Sequence, residues 1–184
     1  VLVIGFGNPD RGDDAAGPLV ARLLAGRIAA RVLERHGDAL ALLDAWDGAP
    51  ALVLVDAAAP MDAPGRLHRF DIAAQDLPRD LAFGSTHAFG LPEAVALARR
   101  LGRLPAHAVV YAIEGACFDA GAPVSPAVAA AVEAVAAHIA AGQSGEGSKA
   151  RGSAPGPRQG PLGPWWGSRG QSPIGTKISS DLGN

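Results

Sequence analysis

The chain has 184 residues, 48% of them hydrophobic, enough for one globular domain of ordinary size. A formal net charge of -2 gives nucleic acid or an anionic membrane no electrostatic hold. The single cysteine excludes an intrachain disulfide and a four-cysteine zinc site. With no signal peptide and no bilayer-spanning apolar run, the expected location is the cytoplasm, with room for a missing initiator or short leader before Val1.

The apolar run Val1-Leu2-Val3-Ile4 predicts a buried strand, followed by the turn Gly5-Phe6-Gly7-Asn8-Pro9-Asp10-Arg11-Gly12-Asp13-Asp14. A phosphate cradle points backbone N–H groups at an anion. This turn carries three carboxylates against one arginine, so it repels a pyrophosphate and attracts a cation. Helical spacing of Leu19, Val20, Leu23, Leu24 and Ile28 predicts a helix from Gly17 to about Ala30, with Pro18 in its first turn. Arg31–Glu34 reads as a short strand and Asp38–Trp46 as a short helix with Asp44 and Asp47 facing solvent. Ala51–Val55 is the clearest buried strand, ending at Asp56. Residues 65–70 alternate like an edge strand, 91–101 are helical, and Ala108–Ile113 is a second central strand. Arg99, Arg100 and Arg103 suit a helix C-terminus. The last helix opens with Ser125 as N-cap and Pro126 at its first position, with Gly142 just beyond its end. Such alternation predicts an α/β fold: three layers, with helices on both faces of a twisted, mostly parallel sheet.

Composition changes at Gly142. Residues 1–141 contain no lysine and form the expected α/β domain, whereas 142–184 are rich in Gly, Ser and Pro and hold both lysines, Lys149 and Lys177. So few aliphatic side chains cannot offset the entropy of ordering, and a disordered tail is expected. Trp165-Trp166 is its one feature resembling a docking motif. An unselected extension is the plainer reading.

In open sheets of this kind, ligands bind beyond the carboxyl ends of the strands. Three polar residues fall there. Asp14 follows the first strand, and an aspartate at a helix start is ordinarily an N-cap; Asp13 beside it can do that capping, leaving Asp14 for another task. Asp56 ends the third strand, where an acid either caps a turn or approaches Asp14. Two carboxylates sharing a buried pocket need a proton or a cation between them. His87 sits in a loop feeding a helix, whereas His36, His68, His107 and His138 read as surface residues or satisfied local donors. Two oxygens and one imidazole nitrogen suit a borderline divalent ion such as Zn²⁺ or Ni²⁺.

Gly5-Phe6-Gly7-Asn8, Asp13-Asp14-Ala15-Ala16-Gly17, Leu54-Val55-Asp56-Ala57 and Ser85-Thr86-His87-Ala88-Phe89-Gly90-Leu91 together resemble, in order, the hydrogenase maturation protease family. Ala112-Ile113-Glu114-Gly115 and Ser125-Pro126 extend the likeness to about Ala141. The resemblance implies a phosphorylase/hydrolase-like fold and an endopeptidase that removes the C-terminal extension of a [NiFe]-hydrogenase large-subunit precursor after nickel insertion. It maps metal contact and catalysis onto Asp14, Asp56 and His87. The nickel arrives in the substrate, with Zn or Cd as a surrogate. Asn8, which either orders the turn or meets a substrate carbonyl, and Asp38 are the expected substrate-binding residues. At 35–38 the chain reads Arg-His-Gly-Asp where many members have an Asp-Gly-Gly-Thr-like stretch.

Other readings stay open at this point. A dinucleotide-binding protein could use Gly5, Gly7 and Glu34, but Asp10 stands where the third glycine belongs. Cys117 with His87 could form a thiol protease, against the plainer reading of a small packed thiol. Ser85 lacks a nucleophile elbow. A nickel-sensing maturation chaperone that cuts nothing would use the same ligands. Phe83 and Phe89 are expected to pack the histidine loop.

Overall fold

A computed structural model describes residues 1–37, 40–78 and 90–144. The elements run β1 (Leu2–Phe6), a single 3-10 turn (Gly12–Ala15), α1 (Ala16–Leu24), β2 (Arg31–Arg35), α2 (Leu40–Trp46), β3 (Ala51–Ala58), β4 (Leu67–Asp71), α3 (Leu91–Arg100), β5 (His107–Glu114) and α4 (Pro126–Ser144). The strand order is β2-β1-β3-β5-β4, so the three most apolar strands lie together at the centre. Neighbours are parallel except β4, which runs antiparallel to β5 and closes the edge.

Period-two alternation sends the strand side chains to two cores. Leu2, Ile4, Phe6, Leu52 and Leu54 face α2 and α3, where Trp46, Leu91 and Val95 meet them. Val3, Val53, Val55, Tyr111 and Ile113 face α1 and α4, against Val20, Leu24, Val132 and Val135. The result is the expected three-layer α/β/α arrangement with a mostly parallel sheet.

Chain direction within the sheet decides where a ligand can sit. From β1 the chain moves outward to β2, then returns past β1 to β3 on its other side. The connections leaving β1 and β3 therefore diverge, opening a crevice at their carboxyl ends. Both Asp14 and Asp56 lie at that point.

The start of α1 sits directly over this crack because two glycines allow it. A Cβ on Gly17 would meet the carbonyl oxygens of Phe6 at 2.2 Å and Val55 at 2.4 Å, and one on Gly5 would meet the Gly17 oxygen at 2.0 Å. Those contacts are backbone atoms of α1 and of the two central strands, which cannot step aside.

Two helix ends differ from expectation. α1 stops at Leu24 because Gly26 takes φ +72°, a left-handed conformation that ends the helix; Ile28 still packs against the core from the following loop. α4 runs through Gly142 to Ser144, since one glycine in a final turn costs only about 1 kcal/mol, so the composition boundary falls inside the helix. α2 begins at Leu40; Asp38 lies outside the described residues, as do the tail from 145 onward and Trp165-Trp166. Among the described residues, no helix is long and apolar enough to cross a membrane.

In an exposed helix Gly→Ala gains about 1 kcal/mol, but here the clash with two strands reverses the sign. Gly17→Ala is expected to lower unfolding free energy by about 2–3 kcal/mol, measured by urea denaturation.

Candidate active site

Among the described residues, the buried charged side chains are Asp13, Asp14, Asp56 and Glu114. All four stand at the carboxyl ends of β1, β3 and β5. Burying a charge is costly unless it is hydrogen-bonded or paired, so each needs an account. Two receive a full set of donors, and two face one another.

Asp13 is fully buried. One carboxylate oxygen accepts from the N–H of Ala116 (2.7 Å) and of Cys117 (3.1 Å), the other from the N–H of Ser125 (2.7 Å). Burial pushes its pKa up, but the three backbone donors outweigh that and hold it below the usual value. The expectation that Asp13 caps its own helix is corrected here: neither the 3-10 turn nor α1 has a side-chain cap. Asp13 turns instead to the far end of the domain, accepting the N–H of the residue that precedes α4.

Glu114 ends β5. Its Oε2 accepts from the N–H groups of Met61 (3.2 Å), Asp62 (2.8 Å) and Ala63 (3.0 Å), and its Oε1 lies 2.6 Å from Nε2 of His68. Burial raises its pKa, while the His68 bond and the loop N–H groups lower it further, so the net shift is downward. His68 is thus the satisfied local partner expected of it. Glu114 was not among the expected site residues, although it stands at the end of β5 as Asp56 does at β3; that position was the available signal.

Asp14 and Asp56 form the contrast. Asp56 is wholly buried on the α2/α3 side of the sheet; Oδ1 accepts the N–H of Ala57 at 2.8 Å, and Oδ2 has no hydrogen-bond partner among the described residues. Burial, and then the negative charge of Asp14, push its pKa well above the carboxylate range, against the one backbone bond. Asp14 is 5% exposed and its Oδ2 accepts the N–H of Asn8 at 3.1 Å. Gly7, at φ +132°, lets the turn fold onto this residue: a Cβ there would meet the Asp14 carbonyl oxygen at 2.1 Å. Asp14 and Asp56 thus both lie at the carboxyl ends of the central strands, near enough for the charge of Asp14 to act on Asp56.

Asn8 does the turn-ordering half of its expected work, its Oδ1 accepting the N–H of Asp10 at 2.9 Å. His87, with Phe83, Ser85 and Phe89, and Asp38 lie outside the described residues. Among the described residues no group of three His, Cys, Asp or Glu gathers as a metal site. The chain becomes describable again at Gly90, which opens α3 on the face to which Asp56 points; there Glu93 accepts the Gly90 N–H at 2.9 Å.

The rival sites fare poorly. The space a pyrophosphate would need is filled by the backbone of residue 14, and Glu34 is paired with Arg22 at 2.9 Å. The thiol of Cys117 has the carboxylate of Asp119 at 3.5 Å, an anion where an activated thiolate needs a cation. Asp44 and Asp47 are exposed but both reach Arg103 at 3.3 Å, giving that arginine a partner beyond the helix dipole.

A family model described as hydrogenase maturation protease matches residues 30–142, more than half of the chain. The chain belongs to the hydrogenase maturation protease family. Asp56 and His87 lie within the matched span, and Asp14 ahead of it. The fold is shared with the hydrogenase maturating endopeptidase HybD from E. coli at 21% identity and TM-score 0.66, covering 79% of this chain and 93% of that one. It is likewise similar to the [NiFe] hydrogenase maturation protease HybD from Thermococcus kodakarensis (27% identity, TM-score 0.60, 75% of this chain and 95% of that one). HycI from Thermococcus kodakarensis KOD1 aligns at 23% identity and TM-score 0.59, over 76% and 89%. A search of curated protein sequences finds no match. Membership in the hydrogenase maturation protease family makes the chain a peptidase, and the rim of β1 and β3 is where its buried acids converge.

Asp56 keeps its proton to higher pH folded than unfolded, so the folded state binds more protons between the two values. Stability then falls as pH rises through that window, beginning near the unfolded value of about 4. Asp56→Asn keeps the Ala57 bond and removes the repulsion. It is expected to raise Tm by about 3 °C at pH 7, the advantage shrinking to nothing below about pH 4, by calorimetry across that range.

Proposed function

We propose that this chain trims the C-terminal extension of a [NiFe]-hydrogenase large-subunit precursor once nickel is in place, and that Asp14, Asp56 and His87 contact that nickel. The observation carrying this reading is the Asp14–Asp56 pair: two buried carboxylates at the switch point, one with an oxygen that no described donor occupies. Family membership supplies the reaction class.

The electrostatics supply a checkpoint. With no cation between them the pair is compatible with only one full negative charge, because the second is opposed by burial and by its neighbour. A divalent ion presented by the precursor reverses the sign of that interaction and releases the retained proton. Precursor lacking nickel offers no such gain, so its peptide is not drawn into the crevice. His87, four residues before α3, is the proposed nitrogen ligand, the softer donor that complements two oxygens on a borderline ion. Hydrolysis then proceeds on a carbonyl or water polarised by the substrate's own metal. Asn8, whose side-chain oxygen orders the turn, and Asp38 are proposed to meet the substrate chain at the rim. The cytoplasm, where a large subunit would be assembled, is the proposed location.

The same ligands would serve a nickel sensor that cuts nothing, and mass spectrometry separates the two. Incubation with nickel-loaded precursor is expected to shorten the large subunit at its C-terminus, and nickel-free precursor is expected to stay intact. Asp14→Ala or His87→Ala is expected to slow processing of the loaded precursor at least about 100-fold, a loss of roughly 2.7 kcal/mol in transition-state stabilisation. Wild-type rates in those variants would remove the trio from the reaction.

A further inference from the structure

The first loop and the segment after β5 are far apart in sequence and knit together in space. Besides the three bonds to the Asp13 carboxylate, the Asp13 N–H donates to the Cys117 carbonyl at 2.8 Å, the Gly121 N–H donates to the Asp10 carbonyl at 2.8 Å, and the Arg11 guanidinium donates to the Phe118 carbonyl at 3.1 and 3.2 Å. Since β3 lies between β1 and β5, this segment must cross the carboxyl end of β3 to reach the first loop; on the way the Gly115 N–H donates to the Ala58 carbonyl at 2.8 Å.

We infer that Asp13 is a positioning residue, whose buried carboxylate clamps the β1 turn to the segment after β5 and so holds the Asp14 carboxylate against Asp56. This inference rests on the reading of Asp14 and Asp56 as the working pair. The reason is mechanical. Asp14 sits in a single short 3-10 turn that has no side-chain cap to fix it. The neighbouring residue supplies an anchor through charge-assisted bonds to three N–H groups on another part of the chain. A displacement of about 1 Å at a reacting group can cost on the order of 100-fold in rate, so an anchor one residue away is well placed to matter.

The Asn8 N–H reports on this directly, because it donates to the Asp14 carboxylate itself. Asp13→Asn keeps the size of the side chain and turns one acceptor into a donor facing N–H groups. Glu114→Gln is the matched control: it weakens an equally buried carboxylate that anchors the 61–63 loop instead. In the full chain at 20 degrees below each variant's own Tm, Asp13→Asn is expected to speed amide exchange at Asn8 at least about tenfold. Glu114→Gln is expected to leave Asn8 protected even with a similar fall in Tm. With nickel-loaded precursor, kcat normalised to folded protein should drop about tenfold for Asp13→Asn and stay at the wild-type level for Glu114→Gln. Unchanged Asn8 exchange in Asp13→Asn, or equal losses in both variants, overturns the inference. Failure of the wild type to shorten the precursor counts against the proposed function alone, because the Asn8 comparison is read without substrate.

Discussion

Two carboxylates, Asp14 and Asp56, are forced together at a place where water cannot screen them. The reversal of chain direction between β1 and β3 creates the place, and Gly5 and Gly17 let α1 start over it. Burial of Asp56 and the charge of Asp14 both push the pKa of Asp56 upward.

The other two buried acids show what a structural carboxylate looks like in the same fold. Asp13 collects three backbone donors; Glu114 collects three and a histidine. Both ionise more readily than usual despite burial, because their donors outweigh desolvation. Among the described residues Asp56 has one donor, and it sits on the opposite side of the balance. Adjacent residues in sequence, Asp13 and Asp14, thus divide the work: one braces and the other is braced.

Most of the architecture was legible in the chain because its central strands are continuous apolar runs, which only a sheet covered on both faces can hide. Asp14 and Asp56 were legible for a topological reason: a residue at the end of a central strand reaches the rim in any doubly wound order. Helix ends were less so. The stop of α1 depends on Gly26 adopting a left-handed conformation, and the continuation of α4 through Gly142 on helical packing already built before it. The roles of Asp13 and Glu114 were hidden because their donors lie about 100 and about 50 residues away, and no local pattern encodes a partner that distant. For the same reason the donors of Asp13 were sought on its own helix rather than in the segment after β5.

The bonding of residues 10–13 to residues 116–125 has a bearing on biosynthesis. A ribosome delivers the β1 turn before its bracing partners, so the turn cannot be secured until nearly the whole domain has emerged. A polypeptide cut short before α4 would retain both aspartates yet lack the scaffold that sets them.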